Sequence, residues 1–344
     1  MRLVTRITRL GAKCHCPRLH RSADSKSNSH CARRFERETA VSFRDGLKTI
    51  VVATDLDGQA EGAIEYARKL AARFQARIVL AHGLDPMEFA AVDAIPDQVL
   101  RGLTEKARMV LDQLSADLIR EGIHSHSEVR QGAVAEMLVD VARQYQAGLI
   151  VIGTKGREGA GPVLVGAVAE RLVRSASCPV LAVASDWNAG PNRPTPGGPV
   201  LLAMERNEAA AAAAATAASL AQAFERPLLI LHVRTIAEQT AGLNPCTVME
   251  DQGIRFEGNL QARCLVKDGN PADAMRETIA EYHPCILVAG VKRASGTPGP
   301  HGTAFALLSA SRVPVLCVPP ELADTGKHEE LEPAAAAVPF SRQQ

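Results

Sequence analysis

Leu149-Ile-Val-Ile-Gly153-Thr-Lys-Gly156, then Gly166-Ala167 after nine intervening residues, then Cys178-Pro-Val-Leu-Ala-Val183, reads as an apolar run, a glycine-spaced loop, a helix-like segment and a second apolar run. Glycines placed between a strand and a helix leave backbone N–H groups unshielded, and at a helix N-terminus such groups gather round an anion. The outline is that of a nucleotide-phosphate site. A worn copy of the same arrangement returns 137 residues later, from Gly290 to Val318, which argues against a chance match.

Working outward, short apolar runs alternate with helical periodicity, the pattern of βαβ units in a mostly parallel sheet. The first block places strands near 49–54, 77–82, 124–130, 148–153 and 179–184. Between them, Ala60, Ala63, Ile64, Ala67, Leu70, Ala71 and Phe74 give one helix an apolar face, and Val134, Leu138, Val141, Ala142 and Tyr145 give another. Asp57 is the expected N-cap of the first of these. A second block follows with Val200–Ala203, a helix over 207–224, Leu228–Val233, a strand ending near Lys267, a helix over 271–282, Ile286–Ala289 and Val315–Val318.

Offsets expose a duplication. Val51-Val-Ala-Thr-Asp55 meets Leu201-Leu-Ala-Met-Glu205 at a shift of 150, as His82 meets His232; Gly132 meets Gly269 and Gly153 meets Gly290 at 137. The thirteen residues lost in the second block fall where the first has a long helix, about 97–121, and the second a short irregular stretch, about 235–258. Ser185–Pro199 carries Pro191, Pro194, Pro196, Pro199 and three glycines, a composition that continues neither helix nor sheet, so 185–198 is the expected linker between domains at 48–184 and 199–319. Residues 1–47 hold eleven Arg or Lys against Asp24, Glu36 and Glu38 up to Arg44, without apolar period, and read as a disordered basic arm; 320–344 reads as a disordered tail.

Composition narrows the function. A net charge of +1 and 3% aromatic residues offer neither a basic footprint nor stacking platforms for nucleic acid. Scattered cysteines at 14, 16, 31, 178, 246, 264, 285 and 317 make no disulfide framework and suit the cytoplasm. No apolar run is long enough for a membrane span; the Ala209–Ala215 run reads as a helix face. Cys14-His-Cys16 matches no standard zinc spacing. Cys178 and Cys317 read as small buried apolar residues, and His82 and His232, at the ends of apolar strands, as structural.

These residues together resemble the universal stress protein family, and the chain looks like a tandem, two-domain member. The match rests on Val51-Val-Ala-Thr-Asp55, Leu80-Ala-His82, Gly132, Leu149-Ile-Val-Ile-Gly153-Thr, the Gly-x2-Gly-x9-Gly loop and Cys178-Pro-Val-Leu. The resemblance implies α/β architecture: two tandem Rossmann-like domains of the adenine nucleotide alpha hydrolase-like type, each with a five-stranded parallel sheet in the order 3-2-1-4-5. It implies a cofactor, ATP or a related adenine nucleotide, with Asp55 near ribose and base, the backbone at Gly83 on the base, and Gly153, Gly156 and Gly166 round the phosphates; Thr54, Thr154, Ala167 and Val168 adjoin these. It also implies pairing through the last strands, so that Val180–Val183 and Val315–Val318 lie side by side and one chain is a pseudo-dimer, with room for a homodimer of chains.

The departures matter. Ala167 stands where the family pattern wants Ser or Thr, removing one phosphate-binding hydroxyl. Lys155 and Arg157 add positive charge at the loop mouth. The second loop keeps Gly302-Thr303 but has Arg293 in place of the middle glycine, one residue fewer, Pro298 and Pro300, and Glu205 for Asp55. No Gly-x4-Gly-Lys-[Ser/Thr] and no paired carboxylates for Mg²⁺ accompany the first loop, so regulation by binding, rather than enzymatic turnover, is the expectation. A ligand-free protein-interaction scaffold and a slow ATP hydrolase are the alternatives; protein partners are not encoded legibly.

Overall fold

The computed structural model describes residues 46–56, 58, 60–85, 97–154, 166–188, 197–234, 260–292, 308 and 311–320, all within one unit spanning 39–344. In chain order these form β1 (Thr49–Ala53), α1 (Glu61–Phe74), β2 (Arg77–Leu84), α2 (Asp97–Arg120), β3 (Ser125–Gln131), α3 (Val134–Gln144), β4 (Leu149–Thr154), α4 (Ala167–Ser175) and β5 (Val180–Ala184). The second half continues with β6 (Val200–Met204), α5 (Ala210–Phe224), β7 (Leu228–Arg234), β8 (Ala262–Asp268), α6 (Pro271–Tyr282), β9 (Ile286–Gly290) and β10 (Val315–Val318).

All ten strands join one sheet, in the order β3-β2-β1-β4-β5-β10-β9-β6-β7-β8. Each half therefore has the order 3-2-1-4-5, with parallel pairing throughout. The halves meet at an antiparallel seam, Val315 opposite Ala182, Leu316 opposite Leu181 and Cys317 opposite Val180. That is the expected side-by-side placement of the two Pro-Val-Leu segments.

Strands covered on both faces must be apolar at every position, and β1, β4, β5, β6, β9 and β10 are nearly wholly buried. Alternate side chains feed two cores. Ile50, Val52, Ile78, Leu80, Val151, Leu181 and Leu316 belong to one, shared with α1, α2 and α5; Val51, Val79, Ile150, Ile152, Val180 and Val315 belong to the other, with α3, α4 and α6. Each core crosses the seam, because each contains residues of both halves.

The alanine run opens α5, where small buried side chains lie against β6 and β9; no helix among the described residues is long and apolar enough to cross a membrane. Related helices α1 and α5 meet at the seam. Phe74 and Phe224, 150 positions apart, have ring centroids 6.1 Å apart, and Arg73 donates to the Ala223 carbonyl from Nε at 3.1 Å and Nη2 at 2.5 Å. Trp187 is buried just beyond β5, its ring edge-on to Tyr66 at 5.2 Å, and Asp186 pairs with Arg312 of the second half at 3.1 Å. The expected linker thus starts as an anchored turn. Its residues 189–196 lie outside the described ones, as do 1–45 of the expected arm and 321–344 of the tail; Leu47, assigned to the arm, is a core residue, 1% exposed.

Two local expectations are corrected. Helix α1 starts at Glu61 with Ala60 as N-cap and no side-chain cap bond, so Asp57, itself outside the described residues, does not stand at the N-cap position. Strand β2 runs to Leu84, two residues past its expected end. Burial pushes the Cys178 and Cys317 thiols up to about 12, in line with their reading as apolar groups, and Cys285 to about 11, keeping all three protonated at neutral pH.

On the outer strand β3, burial alone would raise the Glu128 carboxyl. The Tyr145 hydroxyl, donating at 2.5 Å, and Arg130, with Nε at 3.4 Å, outweigh it and hold the carboxyl below its usual value. A depressed folded pKa stabilises above the unfolded value, and that contribution is lost as pH falls through the folded one. Tyr145→Phe removes one of these bonds, so acid unfolding, followed by circular dichroism below about pH 5, is expected to begin at higher pH than in the wild type. Coincident curves would refute this account.

Candidate functional site

The sheet order reverses between β1 and β4, which are paired from Ile50–Leu149 to Val52–Val151. Crevices at such switch points, beyond the carboxyl ends of the strands, are where open α/β sheets bind ligands. The end of β1 supplies Thr54 and Asp55. Thr54 is buried, its N–H donating to Ala81 at 3.0 Å and its Oγ1 accepting from the Leu56 N–H at 3.3 Å. Asp55 is exposed next to it. The end of β4 supplies Gly153 and Thr154, paired with Val183 and Ala184 of β5.

Helix α4 begins at Ala167 with Gly166 as N-cap, extended at φ −67° and ψ 154°, and without a side-chain cap bond. Helix α3 starts at Val134 with Ala133 as N-cap, whose side chain likewise makes no cap bond. The first turns of both helices border one cleft of about 420 Å³, lined by Asp85, Ala133–Ala135, Ala167, Val168, Glu170, Arg171 and Arg174. Arg171 of α4 reaches Glu136 of α3 at 3.3 Å, and Arg174 meets Glu170 at 3.0 Å.

Of the expected site residues, Ala167 and Val168 line this cleft, whereas Thr54, Asp55, Gly153 and Thr154 sit at the strand ends and are not among its lining. Gly156, with Lys155 and Arg157, lies outside the described residues. Gly83 is inside β2, opposite Arg130. A Cβ there would come within 2.8 Å of Met137 Cε and 3.1 Å of Val134, so its glycine already has a packing reason: α3 lies hard against it. Sequence reasoning missed Asp85, Arg171 and Arg174. Charged residues at helical spacing read as a solvated face, and nothing in the sequence says that α3 and α4 stand with their first turns together.

The second crevice is spanned by its own side chains. Glu205, at the Asp55 position, pairs with Lys292 at 2.6 Å, and Lys292 is 137 residues from Lys155. Asn207 donates through Nδ2 to the Gly290 carbonyl at 3.4 Å and accepts from the Ala209 N–H at 2.9 Å. Among the described residues, no group of three or more His, Cys, Asp or Glu is placed to hold a metal ion.

A model of the universal stress protein family matches residues 46–184. Universal stress protein MJ0531 of Methanocaldococcus jannaschii is 32% identical over 138 residues, 40% of this chain and 81% of that protein. The chain belongs to the universal stress protein family. A universal stress protein of Mycolicibacterium smegmatis is 29% identical over 190 residues, 54% of this chain and 63% of that one. The crystal structure of a universal stress protein from Archaeoglobus fulgidus aligns over 79% of this chain and 98% of its own with a TM-score of 0.63 at 18% identity, a likeness of fold. That alignment is longer than either half, so the likeness of fold takes in both.

Proposed function

We propose that this universal stress protein binds ATP or a related adenine nucleotide at the carboxyl end of its first domain, residues 48–184, and acts as a regulatory stress-response module in the cytoplasm. The observation that carries the reading is the glycine start of α4 at the rim of the cleft: Gly166, the N-cap, has no side chain with which to cover the first turn, and N–H groups at a helix N-terminus favour phosphate. Asp55 and Thr54 at the end of β1 serve the sugar and base, as in nucleotide-binding members of the family; Gly153, Thr154, Gly156, Gly166, Ala167 and Val168 serve the phosphates.

The second domain, residues 199–319, is the ligand-free surface for protein contacts. The Glu205–Lys292 pair supports a ligand-free second crevice, since it puts a carboxylate and its counter-ion where a phosphate chain would need room. Binding, with signalling through altered partner contacts, is the role; hydrolysis is not part of it.

Mass spectrometry of ligand released by heating the purified protein, with calorimetry on added ATP, tests the reading. One ATP per chain is expected, and protein that is empty and gives no heat with ATP removes it. Ala167→Ser restores a hydroxyl at the phosphates, and a hydrogen bond to a charged group is worth roughly 1.5–3 kcal/mol, so affinity should rise about tenfold or more. Unchanged affinity would place the phosphates elsewhere.

A further inference from the structure

The way β1 leaves the sheet assigns a task to His82. The Thr54 carbonyl lies 2.7 Å from His82 Nδ1 on the neighbouring strand. A carbonyl oxygen offers no proton, so the nitrogen facing it carries one, and the imidazole donates through Nδ1–H. The other side of the same turn is tied as well, by the Leu56 N–H donating to Thr54 Oγ1 at 3.3 Å. Leu56 itself has φ 65°, a left-handed conformation that a side chain disfavours and that needs such support.

Asp55 therefore sits between two fixed peptide groups. The device recurs in the second half, where His232 Nδ1 lies 3.3 Å from the Met204 carbonyl, again 28 residues away, and the next residue is Glu205, whose carboxylate is engaged by Lys292. A histidine on the second strand and an acid one residue after the carbonyl it faces form a unit present in both halves.

We infer that His82 is a positioning residue: by holding the Thr54 carbonyl it ends β1 at one place and aims Asp55 at the sugar and base of the bound nucleotide. This rests on the nucleotide reading above. Because His82 acts on the sugar-and-base end, its loss weakens ligands that reach Asp55 and spares those that occupy only the phosphate end.

The test compares the full-length wild type with His82→Phe, which keeps a ring but no donor, and His82→Gln, which keeps an amide N–H donor. ATP and inorganic tripolyphosphate are titrated by calorimetry, and amide hydrogen exchange is followed at Asp55 and Leu56 against the core strand β4. His82→Phe should weaken ATP tenfold or more, leave tripolyphosphate within twofold, and speed exchange at 55–56 at least tenfold without changing β4. His82→Gln should recover a large part of each loss. Should phenylalanine not be tolerated, His82→Ala makes the same comparison. Equal weakening of both ligands, or exchange at 55–56 that matches the wild type, overturns the positioning role. Wild-type protein that ignores ATP instead removes the nucleotide reading and the ligand half of this inference with it, while the exchange data still decide whether His82 fixes the end of β1.

Discussion

Alanine at Leu316 is expected to lower the free energy of unfolding by about 2–5 kcal/mol. Leu316 is 1% exposed and lies opposite Leu181 on the antiparallel seam. Deleting its branched end removes buried apolar surface and leaves a void, and the flanking strands β5 and β10 are held by their ladders to β4 and β9, so they cannot collapse far into it. The consequence reaches both halves. Leu316 and Leu181 share one core with Ile50 and Val52 of the first half and Val200 and Leu202 of the second, so the ten strands should still unfold in a single transition, moved to lower urea. Trp187 reports on the event, since it is the chain's one tryptophan, is buried, and packs against Tyr66 with Lys69 Nζ 4.5 Å from the ring centroid. Urea titrations read by its fluorescence and by circular dichroism give the value. A loss under about 1 kcal/mol, or two separated transitions, would mean that the halves are joined by chain connection more than by a common core.

The elements easiest to read in advance were those whose burial demands one composition throughout. Leu149–Ile152 and Val180–Val183 are apolar at every position because a parallel sheet covered on both faces allows nothing else there, and the repeat offsets carried the same reading into the weaker half. What was not legible depends on neighbours distant in sequence. Leu47 looks like the end of a basic arm until it is found in the core. Trp187 stands in a segment rich in Pro and Gly, and only the approach of α1 shows why it is buried: at Gly62 an added Cβ would stand 3.0 Å from its ring and 2.9 Å from the Ala184 carbonyl. At the end of an apolar strand His82 reads as structural; its partner is a backbone carbonyl set beside it by strand register, 28 residues away. The candidate cleft was half legible. Glycine spacing pointed to the start of α4, but the wall opposite it, Asp85 and the first turn of α3, follows from how two helices lie on the sheet.

Gly166→Leu separates folding from ligand binding at that start. Glycine can be required by a conformation, by crowding, or by what must approach the backbone from outside. The first two do not hold here. Its φ of −67° and ψ of 154° suit any residue, and no described atom lies within 4 Å of where a Cβ would stand. The third remains, because a glycine N-cap leaves the first N–H groups of α4 open to phosphate oxygens. A leucine side chain projecting there should therefore cost about 1 kcal/mol of stability, the penalty of a poor N-cap. It should remove two or more hydrogen bonds to a charged group, roughly 1.5–3 kcal/mol each, which corresponds to at least about a hundredfold loss of ATP affinity. Urea unfolding and ATP calorimetry on the same preparation give both numbers. If ATP binds Gly166→Leu as tightly as the wild type, the phosphates do not lie on α4; if stability falls by several kcal/mol, the glycine is there for the fold, and the bare helix start loses its meaning as a binding surface.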